Sequence, residues 1–218
     1  MNLSDQEFII LNPSRWTSCL LFSVRSCNLS RRSKNQCRNT AADYIRVTSM
    51  EINETIKSQY LASLEMLHHA VIKCPDSLWN DCNFKNKFWH IAYHVLFYTH
   101  LYLQESEQKF VPWSKHKDQY QFMGPIPWPP HNEPKISEPY TRDDILEFLL
   151  MCKEEVDLKL DSINLYAESG FSWLSFNKLE LQFYNIRHIQ HHTGQLYERL
   201  RTQFNMGPGW VAMKHIPK

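Results

Sequence analysis

The segment that most constrains the fold is residues 86–104, NKFWHIAYHVLFYTHLYLQ. It is long enough for a helix and carries apolar or aromatic side chains around almost the whole helical circumference. A helix of this kind is stable in water only when neighbouring elements cover most of its surface. The segment therefore predicts a central helix inside a helical core.

Three further segments carry a helical signal. Apolar residues recur every three or four positions through residues 52–73, which is one face of an α-helix. Thr141 and Asp144 form a capping-box pattern that opens another helix, which we expect to stop before Gly170. A last helix covers about residues 175–204. Four helices of this length predict an all-α four-helix bundle.

The second and third predicted helices are separated by a long irregular segment. Residues 110–140 contain seven of the eleven prolines and show no regular period. Loops of this length are usually functional covers or crossovers, so we expect a Pro- and aromatic-rich crossover here. Its aromatic residues Trp113, Tyr120 and Trp128 either line a pocket that opens onto a functional site, which favours a small-molecule substrate, or pack the loop onto the bundle.

The first 49 residues differ from the rest of the chain. Residues 26–40 are polar and basic and lack a helical or alternating pattern, so we expect residues 1–49 to form an extension outside the core. One explanation is that Met50 is the native start, and the other is an organellar targeting segment. The bundle then covers residues 50–205, followed by a tail at residues 206–218.

Composition excludes several classes of function. The net charge is +1 and the body after residue 49 is mildly acidic, which disfavours a nucleic-acid interface. No apolar run reaches the roughly 20 residues that a membrane helix needs. The six cysteines form no CxxC pair, and we interpret them as free thiols of a cytoplasmic protein.

The last predicted helix contains two histidines one turn apart, His188 and His192. Residues at this spacing project from the same helix face. Two imidazoles placed in this way can chelate a divalent ion such as zinc or nickel. The other interpretation is a pair of partly buried histidines that bond to core neighbours.

The predicted helix at residues 86–104 offers a third nitrogen donor. His94 lies in the middle of the helix, and inward side chains on facing helices build metal sites in bundles. His90 lies one turn earlier and competes for the same role, whereas His100 points to a different face. His191 is rotated by about 100° from His192 and is expected to lie beside the site or on the surface.

Two segments of the chain resemble the DinB/YfiT-like superfamily. They are WHIAYHVLFYTHLYL in the predicted helix at residues 86–104 and HIQHHTGQL in the last predicted helix, and the resemblance covers residues 50–205. It implies a four-helix bundle that holds a divalent metal on His94, His188 and His192. The chain departs from the pattern at Thr193, where the family commonly has arginine, so any substrate contact of that arginine is not expected here.

The resemblance also implies candidate functions. The first is a metal-dependent thiol S-transferase, in which the metal activates an external low-molecular-weight thiol toward an electrophile. A metal-dependent hydrolase needs a general base, but Glu180 and Glu198 are expected to be solvated. The alternative is a non-catalytic metal-binding stress or interaction protein.

A homodimer through the outer face of residues 52–73 is a further possibility.

Two residues near the predicted site have competing interpretations. Cys152 lies in an apolar stripe, so we expect it in the core rather than as a fourth metal ligand. Gly194 lies inside a helix, where glycine costs roughly 1 kcal/mol relative to alanine. We therefore expect another backbone to pack closely against it.

Overall fold

The computed structural model describes residues 31–214, with side chains for residues 51–214. It contains the helices α1 (Arg31–Lys73), α2 (Asp76–Trp79), α3 (Phe88–Tyr102), α4 (Arg142–Lys159) and α5 (Lys178–Phe204), and a 3-10 turn at Glu107–Lys109. In this part of the chain there is no β-strand, only an isolated bridge between Glu168 and Asn177. The prediction of an all-α chain is confirmed for these residues.

The four predicted helices correspond in chain order to α1, α3, α4 and α5. The short helix α2 was not among them. Helix α1 begins at Arg31, inside the polar stretch where the sequence shows no helical period. The compact unit that contains the sites described below begins at Arg46. The side chains of residues 1–50 lie outside the described part of the structure. The prediction that residues 1–49 stay outside the core therefore stays a prediction, as do the two explanations of the position of Met50.

Helix α4 ends at Lys159, which is before Gly170 as expected. The backbone of the residues that follow bonds to the start of α5. The amides of Lys178 and Leu179 donate to the carbonyls of Ala167 and Leu165, at 2.8 Å each. These bonds draw residues 165–167 into a turn structure that a continuing helix does not allow.

Helix α3 is the centre of the core, as predicted. It packs against both α4 and α5, and thirteen of its fifteen residues are buried. The two exceptions are His94 and Tyr98, which are half-buried and lie one turn apart. The partly open strip of α3 is therefore the strip that carries His94.

Helices α3 and α5 run antiparallel. The Asn185 amide on α5 donates to the Thr99 carbonyl at 3.3 Å, and the Arg199 guanidinium donates to the Asn86 carbonyl at 2.9 Å. Residue numbers thus rise along one helix as they fall along the other. This register places His94 opposite the middle of α5.

Polar side chains connect α1 to α4 and α5. The Tyr60 hydroxyl donates to Gln182 of α5 at 2.9 Å, and Lys153 of α4 contacts the Glu65 carboxylate at 2.8 Å. Lys214 of the C-terminal segment contacts the same carboxylate at 2.6 Å. Residues after α5 therefore pack along α1. No helix in the described residues is long and apolar enough to cross a membrane.

The capping box at the start of α4 is confirmed. The Thr141 hydroxyl accepts a bond from the Asp144 amide, and the Asp144 carboxylate accepts one from the Thr141 amide. We expect Thr141→Ala to lower the free energy of unfolding by about 1 kcal/mol, since the Asp144 amide loses the hydroxyl that accepts its bond. Urea denaturation measures this loss.

The control is Thr202→Ala, because Thr202 is exposed inside α5 and its hydroxyl contacts only the Glu198 carbonyl. We expect this change to stay within about 0.5 kcal/mol. Equal effects at the two threonines would contradict a capping role for Thr141.

Candidate metal centre

The structure brings His94, His188 and His192 together. One ring nitrogen from each lies within 4.8 Å of the others, and the Nε2 atoms of His94 and His188 are 3.0 Å apart. A tetrahedral zinc ion with Zn–N bonds of about 2.0–2.1 Å separates its nitrogen ligands by about 3.3 Å. The cluster fits one such ion after small side-chain adjustments.

The positions follow from helix geometry and from the register of the two helices. His188 and His192 are one turn apart on α5, and their ring centroids are 4.6 Å apart. The antiparallel register then places the His94 ring 4.8 Å from the His192 ring. Two donors therefore come from one helix face and the third comes from the facing helix.

Hydrogen bonds on the far side of two rings fix which nitrogen carries the proton. The Nδ1–H group of His94 donates to the Gln121 carbonyl at 2.7 Å, because a carbonyl only accepts. The Nδ1–H group of His192 donates to the Gln195 side-chain oxygen at 2.9 Å. Each ring then presents an Nε2 lone pair, which is the arrangement that metal-ligating histidines adopt.

All three imidazoles are neutral near neutral pH. Burial, with the neighbouring His188, holds the pKa of His94 well below its usual value. Burial, with His192 and His191 beside it, lowers the pKa of His188 to about 3, and burial also lowers the pKa of His192. One proton can bridge a single pair of these nitrogens, whereas a cation can bind all three.

His90, the other candidate on α3, does not belong to the cluster. Its Nε2–H group donates to the Tyr120 carbonyl at 2.8 Å, and the ring is buried. His100 also lies elsewhere: it contacts the Glu155 carboxylate through Nδ1 at 2.5 Å and the Val111 carbonyl through Nε2 at 2.8 Å. His191 is exposed, beside Gln195.

The α3 histidines share a role that the sequence did not reveal. His90, His94 and His100 each bond to a backbone carbonyl of the segment between α3 and α4. The three acceptors are Tyr120, Gln121 and Val111. The segment is therefore held on α3 by imidazoles, and one of these bonds orients a member of the cluster.

Trp113 and Tyr120 pack the segment of residues 110–140 onto the core, whereas Trp128 lies on its surface. Trp113 is buried and stacks on Phe148 of α4, with ring centroids 4.5 Å apart. Tyr120 is buried, and its hydroxyl bonds to Ser137. Trp128 is exposed and contacts Phe122. This outcome removes the support that a pocket lined by these residues would give to a substrate.

Several other residues are also placed by the structure. Cys152 is fully buried, with its thiol facing the Leu96 carbonyl, so it lies in the core as expected. Glu180 and Glu198 are exposed, and the cluster contains no carboxylate among the described residues. Thr193 is fully buried and faces away from solvent.

The expectation for Gly194 is wrong. A Cβ atom added at this glycine meets no atom within 4 Å, because α5 borders an open cleft here. No close backbone contact explains the glycine.

A second group of possible ligands lies on α1. Glu65, His68 and His69 place their ligand atoms within 4.8 Å of one another, and the i, i+3, i+4 spacing was visible in the sequence. Lys153 and Lys214 both contact the Glu65 carboxylate. Two ammonium groups at this carboxylate repel a cation, so this group is an ion-pair cluster linking α1, α4 and the C-terminal segment.

Comparison of the chain with protein-family models, with curated proteins and with solved structures finds no match. The family resemblance thus rests on the two histidine segments of the sequence.

Glu155 provides a test of the ionic contacts beneath residues 110–140. Burial raises its pKa, but the bonds from His100 and Lys159 lower it more, so the folded-state pKa lies below the usual value. A depressed carboxyl pKa stabilises the fold above the unfolded pKa, and this contribution is lost as the pH falls through the folded pKa. We expect Glu155→Gln to destabilise the protein at pH 7 by about 1–3 kcal/mol.

Urea denaturation at about pH 7 and about pH 3 gives the comparison, and the difference between wild type and variant should shrink at the lower pH. Glu154→Gln is the matched control, since Glu154 is the exposed neighbour on the same helix. A difference that is equal at both pH values would show that the Glu155 charge is not involved.

Gly194→Ala should stabilise the protein by up to about 1 kcal/mol, because alanine favours the helix and the new methyl group meets no neighbour. Thermal unfolding measures the change. A destabilised variant would show that the cleft beside Gly194 is filled in solution.

Proposed function

We propose that the chain is a divalent-metal-binding protein of the DinB/YfiT-like type. In this proposal α1, α3, α4 and α5 form a four-helix bundle, and residues 110–140 are its crossover. The contacts of α3 with α4 and α5, and those of α1 with the same two helices, support the bundle. The long irregular path from α3 to α4 supports the crossover.

The metal would be held by His94, His188 and His192. The observation that carries this assignment is the convergence of three neutral ring nitrogens, two of them with lone pairs directed inward by bonds on the opposite ring nitrogen. Imidazole nitrogens suit zinc or nickel. Three protein ligands leave coordination positions open, as catalytic sites do.

The activity that this donor set supports best is transfer of a low-molecular-weight thiol to an electrophile. A bound divalent metal would lower the pKa of a thiol at its open position, so that the thiolate is available near neutral pH. A hydrolase using activated water would be expected to place a general base beside the site, and the described cluster has none. A non-catalytic metal-binding protein is the alternative, because the metal site does not itself require turnover.

Metal analysis of the purified chain tests the site. We expect about one zinc or nickel ion per chain in wild type, with at least a tenfold loss of affinity in His94→Ala and His192→Ala, because each change removes one of three donors. His191→Ala is the control, since His191 neighbours His192 but is exposed and outside the cluster. Wild type without stoichiometric metal, or metal retained in both cluster variants, would overturn the proposal.

The reaction needs a separate measurement. The metal-loaded protein is mixed with a panel of thiols and a chromogenic electrophile, and conjugate formation is compared with that of the His192→Ala variant. Turnover that requires both metal and thiol supports the transferase. Metal binding without turnover of any thiol favours the non-catalytic alternative.

A further inference from the structure

Two of the three clustered histidines have an acceptor on the ring nitrogen that faces away from the cluster, and the third does not. His94 and His192 donate through Nδ1 to the Gln121 carbonyl and to the Gln195 side-chain oxygen. The Nδ1 atom of His188 is buried and has no hydrogen-bond partner among the described residues. A buried polar atom without a partner is costly, so we expect it to gain one in some state of the protein.

Asn185 has an acceptor that is also unused. It lies on α5, three residues before His188, and its side chain is fully buried. The amide nitrogen of this side chain donates to the Thr99 carbonyl at 3.3 Å, which fixes the assignment of the amide group because a carbonyl only accepts. The side-chain oxygen, Oδ1, has no partner among the described residues.

The two unpartnered atoms belong to neighbouring side chains of α5. Residues three apart on a helix have Cβ atoms about 5–6 Å apart, and long side chains lean toward the N-terminus of their helix. The His188 ring therefore leans toward the turn that carries Asn185. Both side chains also face one turn of α3, since the His188 ring lies 5.5 Å from the Tyr98 ring and the Asn185 amide bonds to the Thr99 carbonyl.

Two other unpartnered oxygens are less well placed for His188. Gln121 has one on its side chain, but its backbone lies against Nδ1 of His94, whereas His188 faces the opposite nitrogen of that ring. Thr193 has one on its hydroxyl, but five residues along a helix rotate its side chain by about 140° from His188. Asn185 is therefore the better acceptor.

The protonation state of the cluster in this structure explains why the two atoms do not bond. Both His94 and His188 are neutral, because burial holds their pKa values below the usual range. The Nε2 atoms of the two rings are 3.0 Å apart, and the single proton of His94 is on Nδ1. His188 therefore carries its proton on Nε2 and donates it to His94. Its Nδ1 atom then has a lone pair, as the Asn185 oxygen does, and two acceptors cannot bond.

We propose that Asn185 is a positioning residue for His188, whose Nδ1–H group donates to the Asn185 oxygen when a divalent cation binds Nε2. The ring stays neutral, because the proton displaced from Nε2 goes to solvent and Nδ1 takes up another. Each of the three histidines then has an acceptor behind the ring, which is the usual arrangement of metal-ligating histidines. The inference rests on the proposed metal site.

Two substitutions of Asn185 separate positioning from packing. Asn185→Asp keeps a side-chain oxygen and Asn185→Leu removes it, whereas both lose the amide nitrogen that bonds to Thr99. We expect the zinc affinity of the full chain to fall about 10- to 100-fold in Asn185→Leu and to stay at or above the wild-type level in Asn185→Asp. Competition with a chelating dye measures the affinities, and urea denaturation measures the stability of each variant.

Gln182→Leu is the matched control. Gln182 is the fully buried amide one turn earlier on α5, and both ends of its side chain are bonded, to the Tyr60 hydroxyl and to the Lys178 carbonyl. We expect this variant to lose stability and to retain the zinc affinity of wild type.

NMR spectra of wild type labelled at the histidine nitrogens report the proton position without any change at Asn185. The signals of His188 are identified by their loss in His188→Gln. We expect the His188 proton on Nε2 without zinc and on Nδ1 with zinc. In zinc-loaded Asn185→Leu, the Nδ1–H proton should exchange with water faster than in wild type, because it has lost its acceptor.

Equal zinc affinities of wild type and Asn185→Leu, or equal losses in Asn185→Leu and Asn185→Asp, would overturn the role of Asn185 and leave the metal site standing. The same holds if zinc does not move the His188 proton. A loss of affinity in Gln121→Leu without one in Asn185→Leu would assign the acceptor to Gln121 instead. Wild type that binds no zinc would overturn the metal site, and the role of Asn185 with it.

Discussion

The near-complete burial of α3 is the constraint on which the rest of the structure depends. A polar side chain buried in an apolar core needs a hydrogen-bond partner, and α3 carries three histidines within eleven positions. The partners are backbone carbonyls of residues 110–140, which pack over the helix. The core and the irregular segment therefore depend on each other.

The same bonds determine the electronic state of the site. A carbonyl oxygen accepts and never donates, so the imidazole nitrogen that faces it must carry the proton. For His94 this leaves the other nitrogen as a lone pair on the side of α5. Gln195 has the same effect on His192. These two contacts lie on the far sides of the rings, and they leave an Nε2 lone pair on each ring directed into the cluster.

The sequence predicted the parts of this arrangement that follow from periodicity. The helical period predicted the four long helices, and the HxxxH spacing placed His188 and His192 on one face. The choice between His90 and His94 required the α3–α5 register, which no local pattern contains, and only the family resemblance favoured His94. The turns between α4 and α5 depend on bonds between residues 11 and 14 positions apart, and such pairing is invisible to a local capping signal.

The prediction of a close backbone contact at Gly194 was wrong although the rule behind it is correct. The rule states that glycine inside a helix is costly and needs a reason, and close backbone packing is one common reason. In this chain the position faces open space, so close backbone packing does not explain the glycine. Only the arrangement of the neighbouring elements, which a local pattern does not contain, decides whether such packing occurs.

The charge balance of the cluster bears on the chemistry of the proposed metal site. Three neutral imidazoles leave the full charge of a divalent ion uncompensated, whereas a carboxylate ligand would reduce it. An ion with this charge stabilises an anion at its open position most strongly in surroundings that exclude water. A thiol bound to such an ion would become an anion by releasing one proton to solvent, so that this activation would need no general base from the protein.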